Sequence, residues 1–200
     1  AIIGAATGAA LLGLRPVAEI MFADFVGVCM DQITNHAAKQ RYMSGATTHV
    51  PMTVRMIAGG GIGGFGAQHS QSTEAMLLHN PGLKIVYPST PTEAKGLLLS
   101  CIFDEDPCIQ FESMMLTYAL KEEVPVGDYR IPLGVAKVKR EGTDVTLITL
   151  VALGTNCAIS TSQASQASQT NRAYRALRTN SSIGTCNTLI ALVTLRTLRA

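Results

Sequence analysis

Tryptophan is absent from this chain, and aromatic residues of all kinds make up only 5% of it. Charged residues are scarce too, at 15%, against 47% apolar residues. That balance suits a packed domain or a subunit buried in an assembly, with most faces of its elements covered. Long apolar runs are also missing. The best, Leu189 to Leu195, falls far short of the roughly 18 residues of a membrane span, and no basic, apolar leader marks secretion. Five cysteines (Cys29, Cys101, Cys108, Cys157, Cys186) form no CxxC pair. Odd in number and widely spaced, they read as reduced thiols in a cytosolic or matrix-like compartment, not as a disulfide framework.

Acidic residues and lysine are both missing after residue 150. Residues 151–200 hold five arginines and no acid, a net of +5, whereas residues 1–150 hold 11 basic against 14 acidic side chains, a net of −3. Ser160 to Thr170 is almost wholly Ser, Thr, Ala and Gln, too poor in apolar groups to offset chain entropy, so disorder is expected there. The break near Leu150 is therefore read as a boundary. One domain is expected over 1–150, beginning partway through because Ala1 to Ala6 already reads as helix interior, and a divergent or disordered tail over 151–200. Two hundred residues suit this size of domain.

Before the boundary, strand and helix signals alternate. Ala1 to Leu14 reads as a small-residue helix, Pro16 to Met21 as a strand, and Gly27 to Tyr42 as a helix with Val28, Ile33 and Ala37 toward the core. Val50 to Ile57 is the next strand, Ser72 to His79 a helix stopped at Asn80-Pro81-Gly82, and Leu83 to Tyr87 a buried strand. Ser89-Thr90-Pro91 starts a helix that runs to about Phe103. Cys108 to Phe111 and Val145 to Leu150 are strands, and Ile183 to Leu195 regains strand character. The alternation predicts an α/β fold, a mostly parallel sheet with helices on both faces.

Against that frame, Gly66-Ala67-Gln68-His69-Ser70-Gln71 is the most informative stretch. It closes a glycine-rich loop, Gly59 to Phe65, that follows a strand. Ligands of open α/β sheets collect beyond the carboxyl ends of the strands, and an imidazole there suits proton traffic near neutral pH. Gly61-Ile62-Gly63-Gly64-Phe65-Gly66 also matches GxGxxG. A nicotinamide-dinucleotide site would need a helix at once and an acid at the end of the next strand, yet Val86-Tyr87-Pro88-Ser89 holds none. Met21 and Phe25 lie four residues apart at a strand end. If Phe22 to Phe25 begins a helical turn, they share a face able to grip a flat ring, with core packing as the plainer alternative. His36, His49 and His79 lack metal-ligand spacing. Ser70 beside His69 has no nucleophile elbow around it. The acidic turn Asp104-Glu105-Asp106-Pro107 reads as a solvated loop or a hard-cation site. The arginines of the tail lack the interleaved aromatics of a nucleic-acid binder, Tyr174 aside.

Taken together, Gly13 to Phe25, Met30-Asp31-Gln32-Ile33, Ala37-Ala38-Lys39, Arg41 to Gly45, Ala67 to Gln71, Pro81 to Val86, Pro88 to Pro91, Ala94 to Leu98 and Ile131 to Gly134 resemble one family. It is the beta subunit of thiamine-diphosphate-dependent 2-oxo acid dehydrogenases, of the pyruvate, branched-chain and acetoin types. The resemblance implies that residues 1–150 are the pyrimidine-binding domain of a transketolase-like fold. It implies an alpha-subunit partner in an α2β2 assembly, with thiamine diphosphate shared between subunits and magnesium held by the alpha subunit. It further implies oxidative decarboxylation, of pyruvate first and acetoin second, with acyl transfer to a lipoyl domain of the acyltransferase core. No nucleic acid or membrane partner is implied, and the location is cytoplasmic in a bacterium or the mitochondrial matrix in a eukaryote. By motif, Met21 and Phe25 would line the pyrimidine pocket and His69 would act on substrate and lipoyl group. Met52, Cys101, Ile102, Asp104 and Asp106 would form a potassium site, although some relatives carry Asn where this chain has Asp106. The family's activating glutamate lies just before the segment matching Ala1. The chain as given does not hold it, so a non-catalytic module of the same fold is the competing expectation.

Overall fold

A computed structural model describes residues 1–59, 64–135, 137–138 and 141–142. The strands expected over Val145–Leu150 and Ile183–Leu195, and the tail 151–200, lie outside the described residues. Four strands, β1 (Val17–Phe22), β2 (Thr53–Ala58), β3 (Lys84–Val86) and β4 (Cys108–Ser113), form one sheet in the order β1-β2-β4-β3. Every pairing is parallel. Helices α1 (Ile2–Leu11), α2 (Ala38–Met43), α3 (Glu74–Leu78), α4 (Pro91–Ile102) and α5 (Met114–Ala119) alternate with them. Ala1–Val135 is one compact unit. No helix among the described residues is long and apolar enough to cross a membrane.

Strand alternation divides the sheet's two faces. Ala18, Val54, Met56, Ala58, Ile109 and Phe111 project to one face and pack with Ile3, Ala6 and Ala10 of α1 and with Ile33, Ala37 and Leu77. The spacing of Ile3, Ala6, Thr7 and Ala10 places them on one side of α1, and Gly13 with φ +89° ends the helix. On the other face, α4 buries Cys101 against Cys108 of β4. The neighbouring Cys101 thiol, then burial, push the Cys108 thiol far above its ordinary range. Toward β1 this second face carries a charge row instead. The Arg55 guanidinium donates to both carboxylate oxygens of Glu112 at 2.8 Å, and Glu19 lies 3.5 Å away.

Two expectations need correction. Val28 does not face the core; it is 89% exposed, because Ala23–Val28 takes a 3-10 turn and the following helix starts later. Its wide turn Gln32–Ala37 is π-helical, and there Ile33 and Ala37 are buried as expected. The β3 strand is only half-buried, because it is one of the two outer strands of the described sheet. The start of α4 follows the sequence closely. Pro91 sits in the first turn, and Thr90 Oγ1 accepts the Glu93 N–H at 3.2 Å. The Glu93 carboxylate in turn accepts the Ser89 N–H and hydroxyl at 3.0 and 2.7 Å.

Candidate active site

All four strands end at the same edge of a parallel sheet, and it is there that the chain leaves β1 into the 3-10 turn and β2 into the glycine loop. The turn arises where β1 loses register: Ile20 pairs with Met56 and Phe22 with Ile57, leaving Met21 without a partner on β2. A bulge of this kind bends a strand and re-aims its side chains. Met21 is consequently 63% exposed. The next residue, Phe22, turns its ring onto Phe25 with centroids 6.0 Å apart and planes at 86°.

His69 reaches this pair from the far side of the glycine loop. Its imidazole meets Phe22 edge to face at 4.7 Å and Phe25 at 5.2 Å. Phe65 closes on Phe22 at 6.2 Å. Three bonds tie the loop to the turn and to β2. Asp24 Oδ1 accepts the Gln71 N–H at 3.1 Å, Thr73 Oγ1 donates to the Ala23 carbonyl at 3.3 Å, and Gly59 N–H donates to the Gln71 carbonyl at 3.0 Å. Within the loop, Ser70 Oγ accepts the Phe65 N–H at 2.8 Å.

Of the residues singled out in the sequence for this edge, the structure therefore brings Phe25 and His69 into contact. Phe22, not Met21, is the residue that bridges them. Phe22 and Asp24 went unread because their role depends on a segment 40 to 50 residues later folding back, which local spacing does not encode. Nor does a helix begin at once after Gly66, as a dinucleotide fingerprint requires; α3 starts at Glu74. Residues 60–63 of that loop lie outside the described residues. The same edge holds half-buried acids. Burial pushes the Glu74 carboxyl above the usual carboxylate range. Burial, then the charge of Glu74, push the Tyr87 phenol up to about 12, against a hydrogen bond with Ser113.

The acidic turn lies at the opposite edge. Among the residues suggested for potassium, Met52 and Cys101 are buried, and their neighbours are engaged by the protein itself. Lys84 Nζ donates to both oxygens of Asp104 at 2.7 and 2.8 Å and lies 3.1 Å from Asp106. Arg41 also pairs with Asp106. Arg15 donates to the carbonyls of Ile102 and Asp104 at 3.3 and 2.7 Å and pairs with Glu105. These cations already meet the carboxylates of Asp104, Glu105 and Asp106 and two of the carbonyls, so the turn does not fit a further resident cation. Among the described residues no group of three His, Cys, Asp or Glu side chains is placed to hold a metal.

Comparison with known proteins agrees with the resemblance read in the sequence. The family model for the pyrimidine-binding domain of transketolase matches residues 1–118. Subunit beta of the acetoin:2,6-dichlorophenolindophenol oxidoreductase of Cupriavidus necator is 51% identical over 149 residues, which are 74% of this chain and 44% of that protein. The 2-oxoisovalerate dehydrogenase subunit beta of Bacillus subtilis is 50% identical, over 74% of this chain and 45% of its own length. The pyruvate dehydrogenase E1 component subunit beta of Bacillus subtilis is 45% identical, over 75% and 46%. The chain thus spans less than half the length of these curated relatives. Among solved structures, a split-gene transketolase in an inactive beta4 tetramer superposes with a TM-score of 0.54 at 23% identity, covering 71% of this chain and 42% of that one, a likeness of fold alone.

Proposed function

The chain belongs to the transketolase pyrimidine-binding domain family, and from that premise we propose that it is the pyrimidine-holding part of a 2-oxo acid dehydrogenase beta subunit. With an alpha subunit it would serve the oxidative decarboxylation of pyruvate and acyl transfer to a lipoyl group. The observation that carries this reading is the cluster at the carboxyl edge, where Phe22, Phe25 and His69 converge. A second reading, acetoin as substrate, is favoured by the 51% identical relative named for acetoin.

The cluster fits the cofactor that the family implies. Thiamine diphosphate presents a flat heteroaromatic ring, and the clustered rings of Phe22, Phe25 and Phe65 offer an apolar surface for one. When bound, the cofactor would supply the electron sink for cleavage beside a carbonyl. Phe25 and Met21 would hold its pyrimidine, and Phe22 would keep water from the imidazole. His69, accessible beside the rings, would donate or accept a proton and stabilise charge developing on substrate or lipoyl group. Magnesium and the diphosphate would belong to the alpha subunit. A potassium ion at the acidic turn forms no part of the proposal, since Lys84, Arg41 and Arg15 satisfy those oxygens.

The test is titration of thiamine diphosphate against this chain together with an alpha subunit. Saturable binding is expected, weakened about tenfold or more by Phe25→Ala through loss of an aromatic contact. His69→Ala should leave binding within a few fold and lower any turnover by about 100-fold or more. Saturable NAD binding without thiamine diphosphate binding would overturn the proposal. Cofactor binding with no decarboxylation would instead favour the non-catalytic module.

A further inference from the structure

We propose that Asp24 is the positioning residue for His69, an inference that rests on the role given to His69 above. Asp24 lies in the 3-10 turn Ala23–Val28, between the two phenylalanines whose rings meet the imidazole. Its carboxylate accepts the Gln71 N–H at 3.1 Å, across 47 residues of sequence. The carbonyl of the same Gln71 accepts the N–H of Gly59 at the end of β2. Gln71 is thus gripped on both its donor and its acceptor, two residues beyond the histidine, and Asp24 supplies the only side chain in that grip.

The grip matters because the segment before it is loosely determined. Gly64 and Gly66 take φ of +66° and +73°, and residues 64–68 are exposed. Glycine at such angles leaves the backbone many alternatives. Edge-to-face ring contacts select a direction for the imidazole but fix its depth poorly. A hydrogen bond to a carboxylate is shorter-ranged, directional and strengthened by charge. A displacement of about 1 Å is enough to remove a group from productive geometry. Asp24 therefore sets where the imidazole stands relative to Phe22 and Phe25; the Thr73 hydroxyl also ties the segment to Ala23, but from the far side of Gln71, so a hydroxyl or alkyl group in place of Asp24 would let the histidine side of the segment shift.

The experiment uses the 200-residue chain, isotope-labelled, with two readouts: nuclear Overhauser contacts from His69 to the Phe22 and Phe25 rings, and amide exchange at Gln71. Asp24→Ala should abolish the contacts and speed Gln71 exchange about tenfold or more. Asp24→Asn keeps an acceptor oxygen and should retain the contacts, with exchange within a few fold of the original. Exchange at Met56 and Phe111, in the middle of β2 and β4, should stay unchanged in both. If the alanine variant does not fold, Asp24→Ser, which preserves a turn-forming residue but is too short to reach, takes its place. Retained contacts in Asp24→Ala, or faster exchange spread equally through β2 and β4, would overturn the inference. Neither readout requires cofactor or turnover, so failure of thiamine diphosphate binding would strike the functional reading and leave this one measurable.

Discussion

The two ends of the parallel sheet are built by different means. At the amino edge, Arg15, Arg41 and Lys84 come from three separate segments and converge on one turn, Asp104 to Asp106, through directional ion pairs. Gly82 lies so close beneath the helix carrying Ala38 that a Cβ there would collide with the Ala38 carbonyl oxygen. At the carboxyl edge, the ties are three hydrogen bonds and a cluster of ring contacts around a glycine-rich loop. One edge is held by ion pairs and close backbone contact, the other by a few hydrogen bonds and ring contacts, and it is the carboxyl edge of an open parallel sheet where ligands generally collect. Loops at the low-stability end of a structure are where binding groups can adjust at little expense to the whole.

If that division holds, substitutions at the amino edge should cost the domain more stability than those at the carboxyl edge. The largest effect is expected for Gly82→Ala, which meets backbone at once and forces φ of +98° on a residue with a Cβ. A loss on the order of 3 kcal/mol or more in urea unfolding would follow, mostly as a lower midpoint. An unchanged midpoint would show that the turn relaxes freely and that the amino edge is not rigid.

Acid should dissect the same edge more gently. Burial opposes ionisation of Asp106, but the bonds from Arg41 and Lys84 outweigh it and hold its carboxyl below the usual carboxylate range. A carboxyl held low stabilises the fold fully above its unfolded value, near 4, and loses that contribution as pH falls through the lower folded value. The stability of the native chain should therefore decline from about pH 4 downward, and Asp106→Asn should flatten that decline. Because Arg41 and Lys84 are partly exposed, the difference at neutral pH should be only about 1 kcal/mol. The smallest effect belongs to the carboxyl edge. His69→Ala should shift unfolding by less than about 1 kcal/mol, and a larger loss would mean that the imidazole supports the fold instead of waiting on a ligand.

The sequence carried the fold at the level of patterns whose physics is local. Ser89-Thr90-Pro91 announced α4 because a first-turn proline acts locally, and the structure adds the Thr90 cap and the Glu93 carboxylate within the same few residues. Ala1 to Leu14 announced α1, though Gly13 stops it sooner. Val28 was misplaced because the 3-10 turn over Ala23–Val28 shifts the helical phase, and a periodicity count assumes one phase throughout. The short α5 went unread: Ser113 caps it through the Leu116 N–H at 3.3 Å, but six residues are too few for a period to show. Strand order was not legible at all, and the half-exposure of β3 follows from that order. At the carboxyl edge, glycine-rich context singled out His69 and spacing at a strand end singled out Phe25 with Met21; the structure brings the first two together, while Met21 stands exposed. The contacts of Phe22 and Asp24 were not legible, since a bulge at Met21 and a hydrogen bond 47 residues away decide them.

The outer strands of the described sheet carry a further consequence. A free strand edge invites another chain to add to it, the first step toward fibrils. Here β3 offers only three residues and begins with a lysine, while β1 is kinked at Met21 and bears Glu19. A short charged rim on one side of the described sheet and a bent one on the other are poor templates for the addition of a further strand.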